Sequence, residues 1–306
     1  MTPSTPPAGG DFTATIGVFD GVHRGHQALI EATRAAAARL GTPERPVHSR
    51  LITFDPPPAF ILAPERVGTQ LTPPAEKLAL VRAAGIDEVE VLAFDRGMAA
   101  LEPEEFLSRH VDDAGRLRHL VIGHDFALGR NRVGDDPRLA RIGRERGFEV
   151  TRLPAVRLEG QVVSSTRVRQ ELAAGNLAAV TALLGRPYAL TGLVGSGAGR
   201  GSSIGIPTAN VALPLDKTPP PLGVYAVRAD RGEGAPHPAV MNFGRRPTFG
   251  GGEPVVEVHL LDFTGDLRGS RLRIELIHWL REERRFAGSV VFLAYAVAAP
   301  PAASGG

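Results

Sequence analysis

The sequence predicts a two-part architecture: an α/β domain built on a parallel sheet with helices on both faces, then a smaller all-β domain folded as an antiparallel barrel or sandwich. Three observations predict it. The chain has 306 residues, about twice the length of a typical single domain. Up to Leu184, short apolar runs alternate with segments of helical periodicity, the rhythm of β-α-β crossovers. Beyond Gly185, short strand-like pieces follow one another between Gly/Pro-rich turns.

Element by element, residues 1–11 are rich in Pro and Gly and read as a disordered leader. Residues 13–18 form a buried strand that runs into an alanine-rich helix over 25–40, followed by a strand at 47–54 and a helix at 74–84 ending on Gly85. A strand at 89–94, a helix at 103–114, a strand at 120–123, a helix at 136–147 and a strand at 149–153 continue the alternation. Residues 164–184 are helical, with Gly175 as a break. Strands are then expected at 189–195, 223–229, 238–243, 255–263 and 271–280. The first domain is assigned 12–185, the second 186–288, and 289–306 is an apolar, proline-broken tail, disordered in part. There is no internal repeat.

Hydrophobic residues at 43%, charged residues at 22% and a mean hydropathy of −0.03 exclude collagen-like, disordered and transmembrane classes. The longest apolar run, 289–299, falls short of the ~18 residues a membrane span requires. The start MTPSTPPAGG has neither a basic region nor an apolar core, so a cytoplasmic protein is expected. With no cysteine, disulfides, thiolate catalysis and Cys-based zinc sites are all excluded. Lys77 and Lys217 are the only lysines, and the other 33 basic residues are arginine. The formal net charge of +2 is not that of a nucleic-acid binder.

The stretch Gly17-Val-Phe-Asp-Gly-Val-His-Arg-Gly-His26 falls where the first strand turns into the first helix, the place where a doubly wound sheet receives anions. Gly17, Gly21 and Gly25 let backbone approach a phosphate, and His23 and His26 can both donate to it. With no covalent nucleophile in reach, the chemistry implied is electrostatic stabilisation of phosphoryl or nucleotidyl transfer. A His-x-x-His metal pair and two solvated histidines are the plainer alternatives. A P-loop is excluded, because neither lysine follows a glycine. Residues 199–210, GRGSSIGIPTAN, set a glycine-rich turn before Thr208 and Asn210, whose oxygens suit Mg²⁺; read alone, the segment is equally a linker turn.

The strand–HxGH–helix pattern resembles the nucleotidylyltransferase superfamily, and GVFDGVHRGHQALI is similar to the bacterial bifunctional riboflavin kinase/FAD synthetase family. TFDPPP at 53–58, IGHDFALG at 122–129 with RVGD at 132–135, and VSSTRVR at 163–169 resemble further motifs of the same adenylyltransferase module. PTAN at 207–210, LGVY at 222–225, MNFGRRPT at 241–248 and VEVHLLD at 256–262 resemble the riboflavin kinase module. The likeness runs over residues 13–286.

The resemblance implies a Rossmann-like nucleotidylyltransferase domain followed by a six-stranded kinase barrel. It implies FAD synthesis in two ATP-dependent, Mg²⁺-assisted steps: riboflavin to FMN in the barrel, then FMN to FAD and pyrophosphate in the sheet domain. His23 and His26 would serve adenylyl transfer. Gly17, Phe19, Asp20 and Gly25 would bind that ATP together with Ser164, Ser165, Thr166, Arg167 and Arg169, whose hydroxyls also suit an ordinary helix cap. Asp55, Pro56, Asp125 and Phe126 would meet the flavin. In the barrel, Gly199, Gly205, Thr208 and Asn210 would bind ATP, the last two with Mg²⁺. Glu257 would be the base, and strand alternation turns it to the face opposite Val256 and Val258.

The expected partners are these small molecules, ATP, riboflavin and FMN, with neither nucleic acid nor membrane; an oligomer is compatible with the sequence. The chain departs from the family's usual pattern at Ala127, Ala198, Ser202, Ser203 and Arg268, and after Phe286 it reads AGSVVFLAYAVAAPPAASGG where relatives form an amphipathic helix. That ending raises an alternative, an FMN adenylyltransferase whose barrel is a weak or inactive flavin-binding module. A second alternative, a flavin-sensing regulator without turnover, is opposed by the intact Thr208, Asn210 and Glu257.

Overall fold

The apolar runs of the first half of the chain pair side by side in parallel, as β-α-β crossovers require. A computed structural model describes residues 10–66, 68–112, 116–130, 133–195, 208–245 and 254–282. It divides into two units, Met1–Arg167 and Val168–Gly306.

In the first unit, β1 (Asp11–Ile16), α1 (Arg24–Leu40), β2 (Val47–Phe54), α2 (Pro58–Leu62), α3 (Pro74–Ala83) and β3 (Glu88–Leu92) come first. Then follow α4 (Arg96–Ala99), α5 (Pro103–His110), β4 (Leu117–Ile122), α6 (Asp136–Arg146) and β5 (Glu149–Arg152). A hairpin of β6 (Arg157–Leu158) and β7 (Gln161–Val162) leads into α7 (Ser165–Ala173), within which the division of the chain falls. The sheet order is β3-β2-β1-β4-β5. The order reverses between β1 and β4, so a crevice opens beyond their carboxyl ends, where doubly wound sheets take ligands.

Both faces of the sheet are covered. Ile16, Ile52, Phe54 and Leu120 pack on one side with Leu107 and Leu139; Leu51 packs on the other with Ile30, Val81 and Ile86. Each such side chain, fully buried, contributes ~1.5–3 kcal/mol. The buried Thr13 of the central strand is satisfied by donating to the Thr33 carbonyl of α1 at 2.8 Å, which docks helix on sheet.

The departures from expectation have local causes. β1 begins at Asp11, previously assigned to the leader, because Asp11 pairs in register with Val47 and binds Arg118 through both carboxylate oxygens at 2.8 and 2.9 Å. The helix expected to reach residue 114 stops at His110, where Asp112 turns its carboxylate onto the Leu117 amide at 2.9 Å. α2, α4 and the β6–β7 hairpin were not expected, being too short to show a period.

In the second unit, α8 (Leu177–Leu184) is capped by Asn176 and ended by Gly185. β8 (Tyr188–Gly195), β9 (Ala209–Ala212), β10 (Gly223–Asp230), β11 (His237–Arg245), β12 (Pro254–Leu260) and β13 (Arg271–Arg281) close an antiparallel barrel of order β10-β11-β12-β9-β8-β13. Leu190, Tyr225, Met241, Val258, Leu272 and Ile274 fill it. β9 is the strand that the pattern did not predict: its four residues follow directly on PTAN's threonine and read as the end of a loop. Gly175, the break between α7 and α8, has φ +73°, and a Cβ there would strike the indole of Trp279.

Candidate active sites

The turn between β1 and α1 is held in an unusual conformation. Phe19 and Val22 have φ of +55° and +41°, with Gly21 between them at +84°; left-handed backbone at a phenylalanine and a β-branched residue is strained and persists only where neighbours over-determine it. They do so here. The Gly21 amide donates to Thr72 Oγ1 at 2.8 Å, Gln27 Nε2 donates to the Val22 carbonyl at 2.9 Å, and Ser165 Oγ donates to the Asp20 carbonyl at 2.8 Å. Asp20 Oδ1 accepts from the Thr72 amide at 3.0 Å, so this carboxylate anchors the turn.

His23 is the N-cap of α1 and is buried; its Nδ1 accepts from the His26 amide at 3.3 Å. That acceptor role leaves Nε2 as the protonated, donating nitrogen of the neutral ring. The two imidazoles stack with centroids 3.7 Å apart at 16°, and Phe19 leans on His26 at 5.0 Å. No acidic residue stands in the first turn of α1, where the helix end carries partial positive charge. Gly25 is required by close approach: a Cβ would lie 3.1 Å from the His23 ring and 3.6 Å from the Val163 carbonyl. Gly17 likewise leaves room for the Phe19 ring, 3.1 Å from where its Cβ would be.

At the start of α7, Ser164 Oγ accepts from the Arg167 amide at 3.2 Å and caps the helix, while Thr166 is exposed. Of the two arginines expected at phosphate, Arg167 turns to the β6–β7 hairpin, donating to the Leu158 carbonyl at 3.0 Å. Arg169 follows the division of the chain and is a half-buried residue of α7. Ser165 joins this segment to the turn through the Asp20 carbonyl, so the second and first motifs meet directly.

Asp55 is exposed and Pro56 half-buried at the end of β2. Beneath them lies Lys77 of α3, donating to the Thr53 hydroxyl at 3.0 Å and the Val18 carbonyl at 3.2 Å. After β4, Asp125 is exposed and Phe126 packs its ring partly into the core. Arg152, at the end of β5, holds this loop: its guanidinium donates to the carbonyls of Gly123 and His124, both at 2.8 Å, and of Phe126 at 3.1 Å.

In the barrel, Glu257 of β12 pairs in register with Asn210 of β9 on one side and Asn242 of β11 on the other. All three are half-buried, while Val256, Val258, Ala209 and Val211 point into the core. Thr208 precedes β9 and by alternation shares the side of Asn210. Directly opposed residues stand about 5 Å apart at Cβ, so a carboxylate and two amides share one patch. Gly199 and Gly205 lie outside the described residues.

Sequence reasoning did not select Thr72, Gln27, Lys77, Arg152 or Asn242. Lys77 carried a usable signal as one of two lysines, and Asn242 as a polar residue inside the apolar run AVMNF; the others carried none. Among the described residues no three His, Asp or Glu are grouped to hold a metal ion, so the His-x-x-His pair has no carboxylate or imidazole to complete a site there. Nor, among them, is any helix long and apolar enough to cross a membrane.

A family model described as FAD synthetase matches residues 6–167, and one described as riboflavin kinase matches residues 184–295. Bifunctional riboflavin kinase/FMN adenylyltransferase from Pseudomonas fluorescens is 43% identical over 90% of this chain and 86% of its own length. The protein of that name from Escherichia coli K12 is 40% identical over 89% and 85%, and that from Bacillus subtilis 32% over 89% and 85%. A crystal structure described as a macrolide-efflux protein from Streptococcus pneumoniae superposes with a TM-score of 0.81 at 29% identity, covering 97% of this chain and 93% of that one.

Proposed function

This chain belongs to the bifunctional riboflavin kinase/FMN adenylyltransferase family and makes FAD from riboflavin in two ATP-dependent steps, and from that premise we propose how its residues divide the work. Residues 12–185 carry adenylyl transfer and 186–288 carry the kinase. The observation that supports the first assignment best is the His23–His26 pair at the switch point of the sheet, stacked and fixed by the His26 amide.

In adenylyl transfer, a phosphate oxygen of FMN forms a bond to the α-phosphorus of ATP, and the bond to the β-phosphate bridging oxygen breaks to release pyrophosphate. His23 Nε2–H and the His26 ring meet the charge that builds on the equatorial oxygens. The strained turn from Gly17 to Gly25, with Phe19 and Asp20, and the α7 start at Ser164, Ser165, Thr166 and Arg167 line the nucleotide, which Arg169 further assists. Asp55, Pro56, Asp125 and Phe126 receive the flavin half.

In the kinase step, Glu257 takes the proton from the ribityl hydroxyl as that oxygen bonds to the γ-phosphorus and ADP leaves. The hard oxygens of Thr208 and Asn210, on the side of Glu257, suit Mg²⁺, and Gly199 and Gly205 belong to the same ATP loop. When bound, the ion neutralises phosphate charge. Use of ATP in both steps supports a cytoplasmic location, and the substrates are the partners this reading needs.

A chromatographic time course of the full chain with riboflavin, ATP and Mg²⁺ tests the division of labour. FMN is expected first and FAD second; with FMN supplied in a parallel reaction, His23→Ala is expected to block only FAD formation and Glu257→Gln only riboflavin phosphorylation. Loss of both steps in either variant would overturn the assignment.

A further inference from the structure

Lys77 is 2% exposed, and the other lysine, Lys217, is 3% exposed. A chain that uses arginine at 33 positions thus keeps lysine only where the head group is enclosed. At Lys77 the reason is geometric. The ammonium donates to the Val18 carbonyl at 3.2 Å, Thr53 Oγ1 at 3.0 Å and the Phe54 carbonyl at 3.4 Å. Three acceptors converge on three protons, a fit that a planar five-donor guanidinium cannot reproduce.

The acceptors come from both walls of the nucleotide site. Val18 belongs to the strained turn after β1; Thr53 and Phe54 close β2 directly before Asp55 and Pro56. Thr53 Oγ1 itself donates to the Val18 carbonyl at 3.2 Å, so the ammonium and the hydroxyl form a single bolt across the two strand ends. All three acceptors are neutral, and no carboxylate pairs directly with the ammonium among the described residues; Asp20 and Asp55 act on it from further away. Burying a charge without a direct counter-ion is costly, and a neutral donor would satisfy the same oxygens. A polyanionic ligand bound at this turn would supply the missing counter-charge.

We propose that Lys77 is a positioning residue for adenylyl transfer, clamping the turn after β1 to the end of β2 and biasing the site toward the ATP phosphates. This rests on the reading of residues 17–26 as the adenylyl-transfer site. It makes the residue specific to one of the two activities.

The test measures kcat and KM for ATP in both reactions of the full-length chain carrying Lys77→Met, with FMN as acceptor for one reaction and riboflavin for the other. The expected result is a rise in the KM for ATP of about tenfold or more in adenylylation, with the kinase constants unchanged. A part that serves stability alone would lower the active fraction, so an unchanged KM in adenylylation, with or without a lower kcat, overturns the proposal. If Lys77→Met loses its cooperative melt, Thr53→Val takes its place, with a rise of about threefold expected and unchanged constants overturning it. His23→Ala run alongside separates the premises: undiminished adenylylation there removes the site reading and the proposal with it, whereas its loss beside an unaltered Lys77→Met removes the lysine alone.

Discussion

Asn210 and Glu257 face each other across the β9–β12 ladder, and Asn242 flanks Glu257 from β11. A carboxylate between two amides sits on one half-buried patch of the barrel, where it can meet a substrate hydroxyl as general base. Glu257→Gln keeps the shape of this patch and removes the base. Riboflavin phosphorylation is expected to fall by about 10²–10⁴-fold while adenylylation of supplied FMN stays intact, as read by separate assays on one preparation.

Gly25→Ala is expected to harm the other reaction alone. Its Cβ would stand 3.1 Å from the His23 ring, and that ring also caps α1, so it must shift. Displacement of about half an ångström lowers adenylyl transfer by roughly 10-fold to 10²-fold, with the melting temperature little changed, since the helix interior tolerates alanine well. Equal loss in both activities would point to misfolding.

Arg152→Leu removes the donor shared by three loop carbonyls, those of Gly123, His124 and Phe126. The loop that carries Asp125 and Phe126 then loses its tether to β5. The KM for FMN is expected to rise about tenfold with the kinase unaffected; titration of FMN in steady-state assays checks this.

Acid sensitivity should appear first at His119. Its Nε2 donates to Thr151 Oγ1 at 2.8 Å and its Nδ1 accepts from Arg39 at 3.3 Å, with Glu149 3.4 Å away. Burial holds the imidazole below its usual 6.5, Arg39 adds to this, and Glu149 opposes it. The unfolded chain therefore takes up a proton that the folded chain refuses, so the stabilisation is present above about pH 6.5 and is lost progressively as pH falls below that value through the lower folded one. Arg39 holds Glu149 below its usual 4.5, and that contribution persists until more acid conditions. Melting followed by circular dichroism should decline as pH falls below about 6.5, and His119→Gln should flatten the decline.

The parallel sheet with helices on both faces and the Gly-rich turn after its first strand were legible because they follow from pattern: strands covered on both faces leave apolar runs between helical periods. What was not legible depends on distance in sequence. Thr72 reaches Gly21 and Asp20 across some fifty residues, and Arg152 reaches back to Gly123 from β5; no local spacing announces such contacts. Arg167 likewise reaches back nine residues to the Leu158 carbonyl, a contact its motif does not announce. β9 escaped notice because four residues are too few to alternate convincingly beside a glycine-rich loop.

Trp279 is the only tryptophan of the chain; its Nε1 donates to the Arg281 carbonyl at 2.9 Å, and its ring lies 6.5 Å from that of Tyr225. The chain therefore carries a built-in optical reporter in the barrel, set against the α7–α8 break at Gly175. Indole fluorescence follows the barrel and the α7–α8 break beside it, whereas the helical ellipticity arises mostly from α1 to α6. Recording both signals through one denaturation curve resolves the melting of each catalytic half without labels or truncation, and riboflavin or FMN added to the sample reveals which half each flavin protects.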